Sequence, residues 1–333
     1  MQQSRTIKKT QSNSKTKLAI LCAFIVISSV TQHTNAGSRA TVGKEIVDEI
    51  ASKQQDWDAM PPDENPFKGY AKEDFQSLLG ISKRAPSLFL ADSSFYKPKA
   101  NGVTIPKTYD SRKIYKNCIH GVLDQVKCSA CWAFAIAQVV SDRFCIVSNS
   151  TTDVVLSYQN LISCVNPKIF GCKIGVIDVA FQYMEKTGIM SDQCMPYTAQ
   201  EGPNATIEAC RTKCNNASDS NRKYQCKKGS FKVAQGADDI KAMLVDKGSI
   251  FVTFDVFEDF FNYRRGIYRY TTGELVGYHA CKLIGWGYDW FRDTNYYIIE
   301  NSWGTEWGMK GFFNVAVGEI NVDKFGYTCD PLI

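Results

Sequence analysis

The cysteines of this chain are confined to one part of it. Residues 37–100 contain none, whereas twelve of the thirteen lie between Cys118 and Cys329, and the remaining one is Cys22. So dense a block of thiols implies an oxidising compartment and a fold held by disulfides. The N-terminus gives the route to that compartment. Arg5, Lys8, Lys9, Lys15 and Lys17 precede the apolar run Leu18 to Val30, which leads to the small-residue site Thr34-Asn35-Ala36 before Gly37. This is the pattern of a cleaved signal peptide over residues 1–36. A run of thirteen residues is too short to span a bilayer comfortably.

The formal charge of +5 sits in that leader, whose five bases have no accompanying acid. Without it the net charge is zero, which excludes a strongly basic nucleic-acid or anionic-membrane binder. The chain has three histidines, His33, His120 and His279, and none stands beside a close cysteine pair, so no metal site is expected. No cofactor signature is present either. Three Asn-X-Ser/Thr triplets, at Asn149, Asn204 and Asn216, lie in polar stretches and are candidate glycosylation sites.

Composition divides the rest into a leader and a body. Residues 37–100 hold acidic amphipathic pieces such as Glu45-Ile46-Val47-Asp48-Glu49-Ile50, then a helix-breaking Met60-Pro61-Pro62 stretch, and read as a pro-region. From 101 to 333 a helical half precedes a strand-rich half, an α+β arrangement. Helices are predicted from Trp132 to Val140, apolar nearly all round, from Val176 to Met184 and from Asp238 to Val245. Strands are predicted over Ile250–Asp255, Cys281–Trp286, Tyr296–Ile299 and Phe312–Val317.

The chemistry converges on Cys131. At the start of a buried helix its sulfur would feel the positive end of the helix dipole, and a neighbouring imidazolium would lower its pKa further. His279 precedes one apolar strand and Asn301 ends the next. A hairpin centred near residue 290 would set the two side by side, with Asn301 orienting the imidazole toward Cys131. Trp303 would shield their hydrogen bond, and Gln125 would offer its amide N–H groups, with the backbone N–H of Cys131, to a developing oxyanion.

Cys128-Ser129-Ala130-Cys131-Trp132, with His279 148 residues and Asn301 170 residues beyond Cys131, resembles the signature of the papain family of cysteine proteases. Leu156-Ser157-Tyr158-Gln159-Asn160-Leu161, Gly171-Cys172-Lys173-Ile174-Gly175 and Asn301-Ser302-Trp303-Gly304-Thr305-Glu306-Trp307-Gly308 are similar to three further family blocks. Tyr109-Asp110-Ser111-Arg112, Ser141-Asp142-Arg143-Phe144-Cys145-Ile146 and the short leader around Trp57 most resemble cathepsin B.

The resemblance implies a papain-like fold of two lobes, a helical one and a β-barrel-like one, behind a pro-region that blocks the cleft until removed. It implies a Cys131–His279–Asn301 acyl-enzyme mechanism with Gln125 in the oxyanion hole, peptide or protein substrates paired with Gly175, and a likeness to monomers of the lysosome or extracellular space. It also implies the bridges Cys118–Cys145, Cys128–Cys172, Cys164–Cys210 and Cys194–Cys214, leaving Cys226 and Cys329 to pair. The segment from Cys194 to Cys226 is short and lacks the paired histidines of cathepsin B's occluding loop, which predicts an endopeptidase. Val126, Ser129 and Ile174 replace family glycines, and Phe325 falls near the floor of the main specificity pocket. These replacements keep a second class of function open, a secreted binding protein on the same fold.

Overall fold

The computed structural model describes residues 40–82, 94–98, 102–166, 170–198, 206–216 and 220–333; the signal peptide expected over 1–36 and the triplet at Asn204 lie outside them. Helix α1 (Lys44–Lys53), strand β1 (Trp57–Ala59) and helix α2 (Lys72–Ser77) belong to the leader. Strand β2 (Tyr109–Asp110) and the single turn α3 (Ser111–Ile114) open the body, followed by α4 (Cys131–Val147), α5 (Tyr158–Cys164) and α6 (Ile177–Lys186). Then come β3 (Lys232–Gln235), α7 (Ala237–Lys247), β4 (Ile250–Phe257), β5 (Tyr263–Tyr268), β6 (Leu275–Asp289), β7 (Thr294–Glu300), β8 (Phe312–Ala316) and β9 (Phe325–Thr328).

Helix α4 is buried without interruption from Cys131 to Cys145. A segment with no polar face has no side to turn to water, and α4 is covered by strands β6 and β4 as well as by helices α5 and α6. The Ser157 hydroxyl caps α5 by accepting from the Asn160 N–H at 2.9 Å. Phe134, Leu161, Ile162, Phe181 and Met184 fill the core of this helical lobe. A separate core, with Phe254, Phe260, Tyr263, Trp307 and Phe313, belongs to the sheet lobe and takes in Ile46, Ile50, Trp57, Phe67 and Phe75 of the leader.

Eight strands lie in the order β1-β5-β8-β7-β6-β4-β9-β3, with β2 attached to β6. Among the described residues the sheet runs from β1 to β3 without closing, so the barrel-like lobe expected from the sequence is a mixed sheet and not a closed barrel, beside the helical lobe that was expected. The leader strand β1 supplies one edge, pairing antiparallel with β5. An extended segment added to an exposed edge satisfies the backbone groups of both strands.

Five disulfides join Cys118 to Cys145, Cys128 to Cys172, Cys164 to Cys210, Cys194 to Cys214 and Cys226 to Cys329. Among the described residues, Cys131 and Cys281 remain as buried free thiols. Asn149 and Asn216 are both exposed.

The β6–β7 hairpin departs from the simple geometry expected of it. Its closed end pairs Asp289 with Thr294, and a bulge between Leu283 and Gly285 shifts the register so that Lys282 faces Glu300. One extra residue on one strand slides every later pair. The ladder next to the turn is centred between residues 291 and 292 rather than at 290, and the bulge takes back one residue of that offset, so His279 and Asn301 are diagonal neighbours at the open end rather than direct partners.

Candidate active site

Cys131 is the first residue of α4, where the opening N–H groups of the helix have no helical acceptors. His279 lies on β6 and Asn301 just beyond the end of β7. All three side chains are fully buried. His279 Nε2–H donates to Asn301 Oδ1 at 2.8 Å. An amide oxygen only accepts, so Nε2 carries the proton and the lone pair of the neutral ring is on Nδ1. Among the described residues, Nδ1 has no hydrogen-bond partner. Asn301 Oδ1 is held from two further directions, by the Ser302 N–H at 2.8 Å and the Cys281 thiol at 3.3 Å. The Trp303 ring lies 4.8 Å from the imidazole and roughly over it.

Gln125, wholly buried, takes its backbone position from a bond to Ser302 O and its side-chain position from the Ser302 hydroxyl, which donates to Oε1 at 2.7 Å. Its Nε2 donates to Cys128 O at 2.8 Å and, at 3.0 Å, to the carbonyl of Leu78 in the leader. The leader thus runs through the site. Ser129 Oγ donates to Ser77 O at 3.2 Å, Gly175 N–H donates to Gly80 O at 2.7 Å, and Ile81 N–H donates to Tyr278 O at 3.3 Å. At Gly80 a side chain is impossible without displacement, because an added Cβ would sit 2.0 Å from Ser129 O. Beyond it, Ile81 and Ser82 line a cavity of about 290 Å³ together with Phe254, Tyr278, Phe325 and Tyr327.

This covering changes the electrostatics expected from the sequence. Burial pushes the Cys131 thiol up to about 12, although N–H groups of Ala280, Gly80, Trp132 and Cys131 itself oppose that. Burial also drives His279 down to about 4, against the pull of its bond to Asn301. The expected thiolate–imidazolium pair is corrected to a neutral thiol and a neutral ring. The reason is physical: with the leader seated, no water solvates either charge, and desolvation outweighs the helix terminus.

Residues 105–328 match the family model described as papain family cysteine protease. The chain belongs to that family. Among its curated relatives, the cathepsin B-like cysteine proteinase 4 of Caenorhabditis elegans is 33% identical over 300 residues, covering 82% of this chain and 87% of the relative. The cathepsin B-like cysteine proteinase of Schistosoma japonicum is 36% identical over 242 residues, or 65% of this chain and 70% of that one. The solved structure of proCathepsin B S9 from Trypanosoma congolense is similar with a TM-score of 0.77 and 28% identity, covering 88% of this chain and 99% of that chain. Digestive procathepsin L 3 of Tenebrio molitor, at 22% identity and a TM-score of 0.65, covers 88% of this chain and 90% of its own and shares the fold. Both of these structures are proforms, and the leader of this papain-family, cathepsin B-like chain lies on its catalytic domain as a pro-region.

Sequence reasoning reached the residues around Cys131 and missed two features of the site. One is the set Ser77, Leu78 and Gly80, whose sequence signal was a single glycine inside a short apolar run. The other is a buried ion cluster directly behind Asn301. Lys282 Nζ lies 3.1 Å from Asp142 Oδ2 and 3.1 Å from Glu300 Oε2, with all three side chains fully buried. Its signal was a lysine and a glutamate facing each other in otherwise apolar strands.

Proposed function

We propose that the chain is the zymogen of a cysteine endopeptidase, with a signal peptide over 1–36, a pro-region over 37–100 and a peptidase domain over 101–333. In the processed form, water reaches the cleft and the desolvation that holds Cys131 and His279 neutral is relieved. Cys131 Sγ passes its proton to His279 Nδ1 and attacks the scissile carbonyl carbon of an extended peptide. The oxygen of the tetrahedral adduct faces Gln125 Nε2–H and the backbone N–H of Cys131. His279 then returns the proton to the leaving amine, and water hydrolyses the thioester by the same path in reverse. Asn301 keeps Nδ1 pointed at the sulfur, and Trp303 excludes water from the bond that does so. Gly175 binds the acyl side of the substrate through its backbone. No cofactor or metal takes part.

The observation that carries this reading is the peptide already in the cleft. Leu78 offers a carbonyl to Gln125 and Gly80 pairs with Gly175, so the groups assigned to oxyanion and substrate binding hold a polypeptide backbone. Secretory or lysosomal delivery, glycosylation at Asn149, Asn204 and Asn216, and a monomeric state complete the proposal. Removal of the pro-region followed by treatment with a peptidyl epoxide should give a single adduct, mapped by mass spectrometry to Cys131. A processed, folded protein that remains unlabelled there overturns the assignment. For the endopeptidase claim, a peptide library should be cut internally; release of C-terminal dipeptides alone contradicts it.

A further inference from the structure

The active-site loop between Gln125 and Cys128 carries a cation, Lys127. The loop is fixed at both ends, by the buried Gln125 and by the Cys128–Cys172 bridge. Between them, Val126 N–H donates to Asp124 Oδ1 at 2.8 Å. Lys127 Nζ lies 3.3 Å from Asp74 Oδ1 and 4.4 Å from the centre of the Tyr70 ring. The two charged side chains are only 24% and 30% exposed, so the contact is half out of water. Asp74 and Tyr70 belong to the pro-region and leave with it.

The path of the pro-region shows which side of the cleft this is. The carbonyl of Leu78 is at Gln125, Gly80 is at Gly175, and Ile81 continues to Tyr278. Residues before Leu78, including Asp74, therefore lie on the side of Cys131 away from Gly175. On the peptidase reading above, Gly175 holds the acyl half of the substrate, so Asp74 occupies the place of the leaving half. The direction in which the pro-region chain runs does not matter to this argument; only the place of its carboxylate does.

We infer that Lys127 is a specificity-determining residue on the leaving-group side of the cleft, selecting substrates that put a carboxylate where Asp74 now sits. The carboxylate has two possible sources, an Asp or Glu side chain a few residues beyond the cleaved bond, or the free C-terminus of a short substrate. A half-exposed ion pair of this kind discriminates by roughly fivefold. Salt at 1 M, where charges are screened within about 3 Å, should erase most of it.

The test uses the processed enzyme and internally quenched peptides of one sequence. One set carries Glu or Gln at successive positions after the cleaved bond. A second set carries Gln throughout and ends in either a free acid or an amide at those positions. For the wild type, kcat/KM should favour the carboxylate about fivefold at one position; the set that shows it identifies the source. Lys127→Arg should keep the ratio, Lys127→Ala should bring it to about one, and Lys127→Glu should invert it. Each ratio is internal to one variant, so a general loss of activity cancels. If the peptides are cleaved but the wild-type ratio is near one everywhere, or is unchanged in Lys127→Ala, the role of Lys127 is refuted and the peptidase assignment stands. If no peptide is cleaved at all, both fall.

Discussion

Glu300 stands one residue before Asn301, fully buried beside Lys282, and receives Gln138 Nε2–H at 2.7 Å. Lys282 is shared with Asp142, which also accepts from the His120 backbone N–H at 2.9 Å and the Ser249 hydroxyl at 2.6 Å and lies 2.8 Å from the His120 ring. Burial pushes Glu300 from an ordinary 4.5 up to about 7; Lys282 opposes this and the neighbouring Asp142 adds to it. A carboxyl raised in the folded state binds its proton more tightly folded than unfolded. Its contribution to stability is therefore complete below about pH 4.5 and is lost as pH rises through about 7. At about 1.36 kcal/mol per pKa unit, the gap caps that loss at about 3 kcal/mol. Glu300→Gln keeps the shape of the protonated acid and cannot ionise. In a Cys131→Ala background that prevents processing, guanidinium unfolding of the proform from pH 4.5 to 8.5 should show the parent losing up to about 3 kcal/mol more than Glu300→Gln. Asp192 and Asp259, both raised to about 6 by burial, slope the same way in both proteins, so the difference reports Glu300 together with the Asp142–Lys282–His120 cluster it belongs to. Parallel stability curves would refute the reasoning.

Three further outcomes follow from the packing. Gly80→Ala places a Cβ 2.0 Å from Ser129 O and should lift the pro-region off Cys131, so that the unprocessed variant reacts with iodoacetamide at neutral pH while the parent proform does not; equal labelling rates would show that Gly80 is not what closes the site. Trp57, 3% exposed and donating from Nε1 to Arg269 O at 3.0 Å, anchors the added edge strand, and Trp57→Ala should weaken pro-region docking by about 3–5 kcal/mol and accelerate processing at acid pH in a gel-based time course. Val126 holds φ at 45°, a region that penalises β-branched residues, and Val126→Gly should raise the thermal midpoint of the proform; a lower midpoint would mean that packing of the valine outweighs its backbone strain.

What could be read in advance was what local chemistry encodes. Cys131, His279 and Asn301 announced themselves through residue type and neighbours, and the apolar run behind Cys131 became a helix buried from Cys131 to Cys145. Its true end at Val147 was less visible, because residues such as Asp142 and Arg143 look like surface yet are buried by partners far away in sequence: Lys282 for one, Cys329 O and Asp330 for the other. The bulge at Leu283 and Gly285 was equally hidden, since nothing in an apolar strand marks which residue will be left unpaired.

The protonation state of the site was the least legible feature of all, and for a definite reason. Taken alone, a cysteine at a helix N-terminus beside a histidine predicts an ion pair. The pro-region reverses that by desolvation, with residues 77 to 81 brought from outside the catalytic domain. The carbonyl of Leu78 takes the donor of Gln125, and the carbonyl of Gly80 takes the N–H of Gly175. Latency in this chain therefore needs no distortion of His279, Asn301 or Gln125, which are already assembled. It needs only that water and substrate be kept from them, and the groups proposed to bind a substrate backbone, Gln125 Nε2 and the Gly175 N–H, are the ones that hold the leader.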